Sequence, residues 1–201
     1  MKTKVALQFK IELLEISPII WRTIQVSARY SFWDLHVAIQ DSMGWLDYHI
    51  HEFKIKPPRK RNFISIGIPH NEYENKTLPG WETKVTDYLN EPGDFALYEY
   101  DFGDGWEHKV TLESKFLADD NVKYPICIKG ERSCPPEDCG GVPGYYELIE
   151  ILSDKKHERY EDMVYWLENH AKSYMPYKPE IFDSSSVEFW NPKKRFNMAF
   201  K

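Results

Sequence analysis

Two aromatic runs constrain this chain more than any other feature. Residues 95–102 read FALYEYDF and residues 106–116 read WEHKVTLESKF, with Gly103-Asp104-Gly105 between them. Each run alternates apolar with polar side chains, the period of a half-buried strand. Asp-Gly at the tip supplies the positive φ that tight hairpin turns require. On the second run Trp106, His108, Val110 and Leu112 share one face, while Glu107, Lys109, Thr111 and Glu113 share the other. An antiparallel sheet with one buried face follows.

Other segments extend that sheet and cover it. Val5, Leu7, Phe9, Ile11 and Leu13 alternate as a strand, which ends at Ser17-Pro18 because proline lacks a backbone donor. Ile19–Val26 reads as its antiparallel partner. Phe32, Leu35, His36, Ile39 and Met43 then form one helical stripe, opened by Ser31 as N-cap and closed by Gly44. Residues 48–56 alternate again, with His49, His51, Phe53 and Ile55 on one face. A short strand is expected at Phe63–Ile68 and a helical turn at Lys84–Leu89. Residues 124–144 are rich in Pro, Gly and Cys and read as a loop, irregular over most of its length. Helices resume at Tyr145–Leu152 and Tyr160–His170, and the polar tail docks one more short helix. The expected fold is α+β, a single mostly antiparallel sheet with helices packed on it. One domain would occupy residues 1–185, with a C-terminal tail at 186–201.

Composition removes several function classes. Apolar residues make up 42% of the chain, so it can build a core and does not read as disordered. No apolar run approaches the roughly 18 residues of a membrane span. The first twenty residues scatter lysine and glutamate among apolar positions, unlike a signal peptide. A net charge of −6 argues against non-specific nucleic-acid binding. One basic cluster, Lys54, Lys56, Arg59, Lys60 and Arg61 around Pro57-Pro58, is either a solvated loop or a phosphate-binding arm. Three cysteines, an odd count, point to a reducing, cytoplasmic setting.

Chemistry-bearing residues come in three groups. His36, His51 and His108 fall on core-facing positions of a helix and two strands. With Arg22 and Asp101 they are expected to line one cleft, lidded by the 127–144 loop. Imidazoles beside carboxylates suit acid–base work or a divalent metal. Arg22 either pairs with a carboxylate on a neighbouring strand or waits for an anionic ligand. Asp101 and Asp104 flank Gly103; Asp104 reads as a turn-capping group, while Asp101 is open to either role. Glu137-Asp138, stiffened by Pro135-Pro136, is a candidate acidic ligand pair. Cys127, Cys134 and Cys139, spaced C-x6-C-x4-C, match no common zinc knuckle. They either pack the loop or, with His108, supply a tetrahedral zinc or other divalent site. No G-x-S-x-G, phosphate-binding loop, G-x-G-x-x-G or H-E-x-x-H occurs.

The strings PIIWR (18–22), DLHVAIQDSMGW (34–45), HIHEF (49–53), YEYDFGDGWEHKV (98–110) and CPPEDCGGVPGYYEL (134–148) together resemble the plasmid pRiA4b ORF-3-like family. The likeness spans roughly residues 4–185 and implies an α+β domain. Relatives travel on mobile elements, some labelled resolvase-like, and the resemblance supplies no reaction. Neither the activated serine nor the arginine-surrounded tyrosine of a recombinase is evident here. The leading expectation is a cytoplasmic module that binds a partner or small ligand in a His/Asp/Arg-lined cleft. The alternatives are a metal-assisted hydrolase or nuclease, and a DNA-associated accessory protein.

Overall fold

The aromatic hairpin lies at the middle of the sheet. In a computed structural model that describes residues 4–57, 62–69 and 77–201, the strands are β1 (Val5–Leu13), β2 (Ile20–Ser27), β3 (His51–Ile55), β4 (Ile64–Gly67), β5 (Leu78–Pro79), β6 (Phe95–Tyr100), β7 (Trp106–Leu117) and β8 (Ile126–Glu131). Among the described residues these eight form one sheet, ordered β5-β4-β3-β6-β7-β1-β2-β8. Every neighbouring pair is antiparallel except β4 with β5. The fold is α+β, and its sheet is mostly antiparallel.

Register explains which rings meet. Tyr98 lies opposite Phe53 on one side and His108 on the other. Tyr100 likewise lies between His51 and Trp106. All six side chains are buried and share the inner face. Helix α1 (Phe32–Met43) covers that face. Its start is a reciprocal capping box: the Asp34 amide donates to Ser31 Oγ and the Ser31 amide donates to Asp34 Oδ2. Its end is Gly44 at φ 88°, a left-handed conformation that glycine adopts freely.

Helices α2 (Gly141–Ser153) and α3 (Tyr160–Asn169) pack on each other beyond the sheet. Helix α4 (Pro192–Phe200) lies on α1, where Phe196 and Phe200 stack edge-on against Trp33 and Arg195 pairs with Asp41 at 2.7 Å. No helix among the described residues is long and apolar enough to cross a membrane.

Three expectations change. The 124–144 stretch, expected to be irregular over most of its length, contains an edge strand, because residues 126–131 form β8 on β2. Gly130 permits the pairing, since a Cβ there would lie 2.6 Å from the Trp21 carbonyl oxygen. Helix α2 starts at Gly141 rather than Tyr145; Pro143 is accommodated in its first turn, where no amide is needed. Strand β3 begins at His51, not Tyr48, so His49 leaves the apolar face. Of the basic cluster, Arg59, Lys60 and Arg61 lie outside the described residues. Lys54 is held by Glu99 at 2.6 Å and Glu52 at 3.6 Å, and Lys56 lies over the Phe63 ring.

Candidate functional site

The expected cleft residues divide among three places. The imidazoles do meet, but in the packed core beneath α1. His36 and His51 stack face to face with centroids 3.4 Å apart. Tyr98 touches both and also His108, whose ring centroid is 5.3 Å away. All three histidines are essentially solvent-free. Gln40 donates to the Tyr98 hydroxyl oxygen at 2.9 Å, which turns the single phenol proton toward His36 Nδ1 at 2.8 Å. His36 Nε2 then donates to Asp47 Oδ1 at 2.8 Å. His108 Nδ1 donates to the Tyr98 carbonyl at 3.3 Å. Among the described residues neither ring nitrogen of His51 has a hydrogen-bond partner. Burial drives the His51 pKa well down, and His36 beside it adds to the fall. Burial also lowers His108, to about 4.

Asp101 belongs to a second place, at the mouth of the hairpin. It has φ 55°, and its Oδ1 accepts from the amides of Gly103 at 3.0 Å and Asp104 at 3.3 Å. That leaves Oδ2 facing His49 Nε2 at 3.5 Å. Asp138 reaches the same nitrogen with Oδ1 at 2.9 Å, and its Oδ2 lies 3.8 Å from His170 Nε2. Candidate ligand atoms of His49, Asp101 and Asp138 all fall within 4.8 Å of one another. The other half of the acidic pair turns inward. Glu137 is fully buried and accepts from the Tyr100 hydroxyl and from the Leu46 amide. It braces the 134–141 loop against the segment after α1.

Arg22 marks the third place. A cavity of about 1000 Å³ opens between the end of α1 and residues 172–199, lined by Arg22, Trp45, Asp47, Lys172, Tyr177 and Arg195 among others. The Arg22 side chain donates Nε to Ser42 O at 3.0 Å, and Nη1 to Trp21 O at 2.8 Å and Glu131 O at 2.9 Å. Its guanidinium lies 3.6 Å above the Phe182 ring. Among the described residues no carboxylate pairs with it, and burial lowers its pKa. Lys172 is also depressed by burial and donates Nζ to Gly44 O. Arg195, by contrast, pairs with Asp41 and Asp47.

The cysteines do not gather with His108. Among the described residues the one set of three metal-capable groups is His49, Asp101 and Asp138. All three thiols are free, and burial raises each: Cys127 to about 11, Cys134 to about 12 and Cys139 further still. His49 escaped the sequence reading because strict alternation pairs it with His51. A signal was present in Asp47, whose left-handed φ of 63° breaks the register and which is a residue type that tolerates that conformation.

Comparisons with known proteins agree with this architecture. The chain matches the family described as Plasmid pRiA4b ORF-3-like protein over residues 5–186. It is 31% identical over 160 residues to the uncharacterized protein y4hQ of Sinorhizobium fredii, covering 79% of each chain. The crystal structure of a protein of unknown function, MM3350 from Methanosarcina mazei Go1, superposes with a TM-score of 0.81 at 41% identity. That likeness covers 94% of this chain and all of the other. With the five motif strings resolved into one sheet and the helices and loops that cover it, the chain belongs to the plasmid pRiA4b ORF-3-like family.

Proposed function

We propose that the protein is a binding module that takes a small anionic molecule into the groove beside Arg22. The observation that carries the reading is Arg22 itself: a guanidinium 1% exposed, edging a 1000 Å³ cavity, with no carboxylate as counter-charge. Burying a charge costs several kcal/mol, on the order of that for any ion left unpaired, and an incoming anion offsets that cost. Lys172 brings a second cation without a carboxylate partner among the described residues, and the volume lies at the upper end of small-molecule sites. Trp45, Tyr174, Tyr177 and Trp190 give the groove aromatic walls, so an anion carried on a flat ring fits best. Behind the groove wall, Asp47 leads through His36 to Tyr98. The buried imidazoles thus support the site without lining it.

This reading favours a small ligand over nucleic acid, because Lys54, the first member of the basic cluster, is already neutralised by Glu99 and Glu52. The unpaired thiols accord with a cytoplasmic setting. The test is a thermal-shift and tryptophan-fluorescence series with aromatic carboxylates and phosphates against neutral amides of matched size. Acidic compounds should raise the melting temperature and quench Trp45 or Trp190, with the effect lost in Lys172→Met. Equal responses to neutral and acidic members would reject the reading.

A further inference from the structure

Four side chains converge where no groove residue contributes. His49 precedes β3, Asp101 follows β6, Asp138 lies in the 134–141 loop and His170 caps α3. None of the four lines the 1000 Å³ cavity. We propose that His49, Asp101 and Asp138 bind a divalent transition-metal cation, with His170 the donor next in reach through its position beside Asp138.

The donor set argues for this class of ion. Imidazole nitrogen with carboxylate oxygen suits zinc, manganese or iron, whereas calcium and magnesium prefer oxygen alone. Two carboxylates carry two negative charges, which a single dication at one point balances. Distance fits as well: His49 Nε2 lies 2.9 Å from Asp138 Oδ1 and 3.5 Å from Asp101 Oδ2, and the three donors fall within 4.8 Å of one another, a spacing compatible with ligands each about 2.0 to 2.2 Å from one ion.

Each donor is held by atoms other than those it would offer. Asp101 spends Oδ1 on two turn amides and keeps Oδ2 free for the cluster. The loop carrying Asp138 is clamped to the hairpin tip, where the Gly140 amide donates to Asp104 Oδ2 at 3.2 Å. Gly141 lies so close that a Cβ would stand 2.4 Å from the Asp104 carbonyl oxygen. The His49 ring rests edge-on against Tyr100, and His170 packs between Trp166 and Tyr174. Such prior fixing of ligands is what a metal site requires of its surroundings. The cluster is reachable from solvent, with side-chain exposures of 31% for His49 and 49% for Asp138. Asp138 also borders a second cavity of about 310 Å³, so the ion would have open space beside it for water or a substrate group.

The experiment is a titration of the full-length, chelator-treated protein with Co²⁺, followed by visible absorption, and with Mn²⁺ followed by calorimetry. One Co²⁺ per chain should bind with d–d bands and no thiolate charge-transfer band. Asp138→Asn and His49→Gln should each weaken binding at least tenfold while the metal-free protein melts as before. Both positions are solvent-accessible, and asparagine tolerates the φ of 58° at position 138, so misfolding would not mimic the loss. Absence of binding, or a thiolate band that persists in Asp138→Asn, overturns the proposal. Either result leaves the Arg22 groove untouched, because that site is read with metal-free protein.

Discussion

Among the described residues neither ring nitrogen of His51 has a hydrogen-bond partner, although the residue is only 2% exposed. A buried polar group left unsatisfied costs roughly 1 to 3 kcal/mol. Its compensation is contact: one face lies flat on His36, and the edges meet Trp33, Phe53 and Tyr98. Protonation would place a charge in that apolar stack. The folded pKa values of His51 and His108 therefore lie below the unfolded value near 6.5, and the unfolded chain binds protons that the folded chain refuses. Stability from these two residues is complete above about pH 7 and declines as pH falls through 6.5 toward 4. For His108 the difference amounts to about 3 kcal/mol. Denaturant unfolding at pH 7.5 and pH 5.0 should show that decline in the wild-type chain. His51→Leu should be at least as stable at pH 7.5 and should lose less on acidification. Parallel curves for the two proteins would show that the stack does not resist protonation.

At the scale of elements, the end of α1 draws its cations from elsewhere in the chain. The helix has no basic residue in its last turn. Arg22 from β2 and Lys172 from the segment after α3 donate to the carbonyls of Ser42 and Gly44 instead. Cations at a helix C-terminus contribute about 0.3 to 1 kcal/mol, and up to about 2 when partly buried. Lys172→Met should accordingly cost about 1 kcal/mol in urea unfolding. Arg22→Met should cost about 3 kcal/mol, because the Trp21 and Glu131 carbonyls also lose their donor. Equal, negligible losses would mean that water replaces both cations. The same distinction between local and distant partners explains what could be read from sequence. Helix α1 and the β6–β7 hairpin were legible because Ser31, Asp34, Gly44 and the Gly103–Gly105 turn act within a few residues of themselves. Strand β8 was not, since the groups that hold it, β2 with the Arg22 side chain and Ser184, lie far away in the sequence. The first turn of α2 was hidden for a similar reason: Gly141 packs where a Cβ would meet the distant Asp104 carbonyl oxygen at 2.4 Å. Of the site, Asp101 and Asp138 were visible as residue types, but their meeting with His49 depends on the Tyr48 amide bonding the Tyr100 hydroxyl across the fold.

For the whole molecule, the C-terminal segment is both cover and wall. Phe196 and Phe200 shield Trp33 and also touch Trp81. Trp190 and Arg195 close one side of the groove, and both bond the buried carboxylate of Asp41. The central core between sheet and α1 includes no residue of α4. A chain ending at Val187 should therefore fold, while losing about 3 kcal/mol through the exposed Trp33 face and the stranded Asp41 charge. Burial already raises the Asp41 pKa, and Arg195 is the first of the groups that hold it down. Removing Arg195 should push it further up, so the shortened chain recovers some stability as pH falls and Asp41 becomes neutral. Asp41→Asn should restore part of the loss in the shortened chain and destabilise the full-length one. Unfolding curves of the four proteins measure this coupling directly. If Asp41→Asn costs the same in both backgrounds, the ion pair contributes nothing and α4 is held by its aromatic contacts alone.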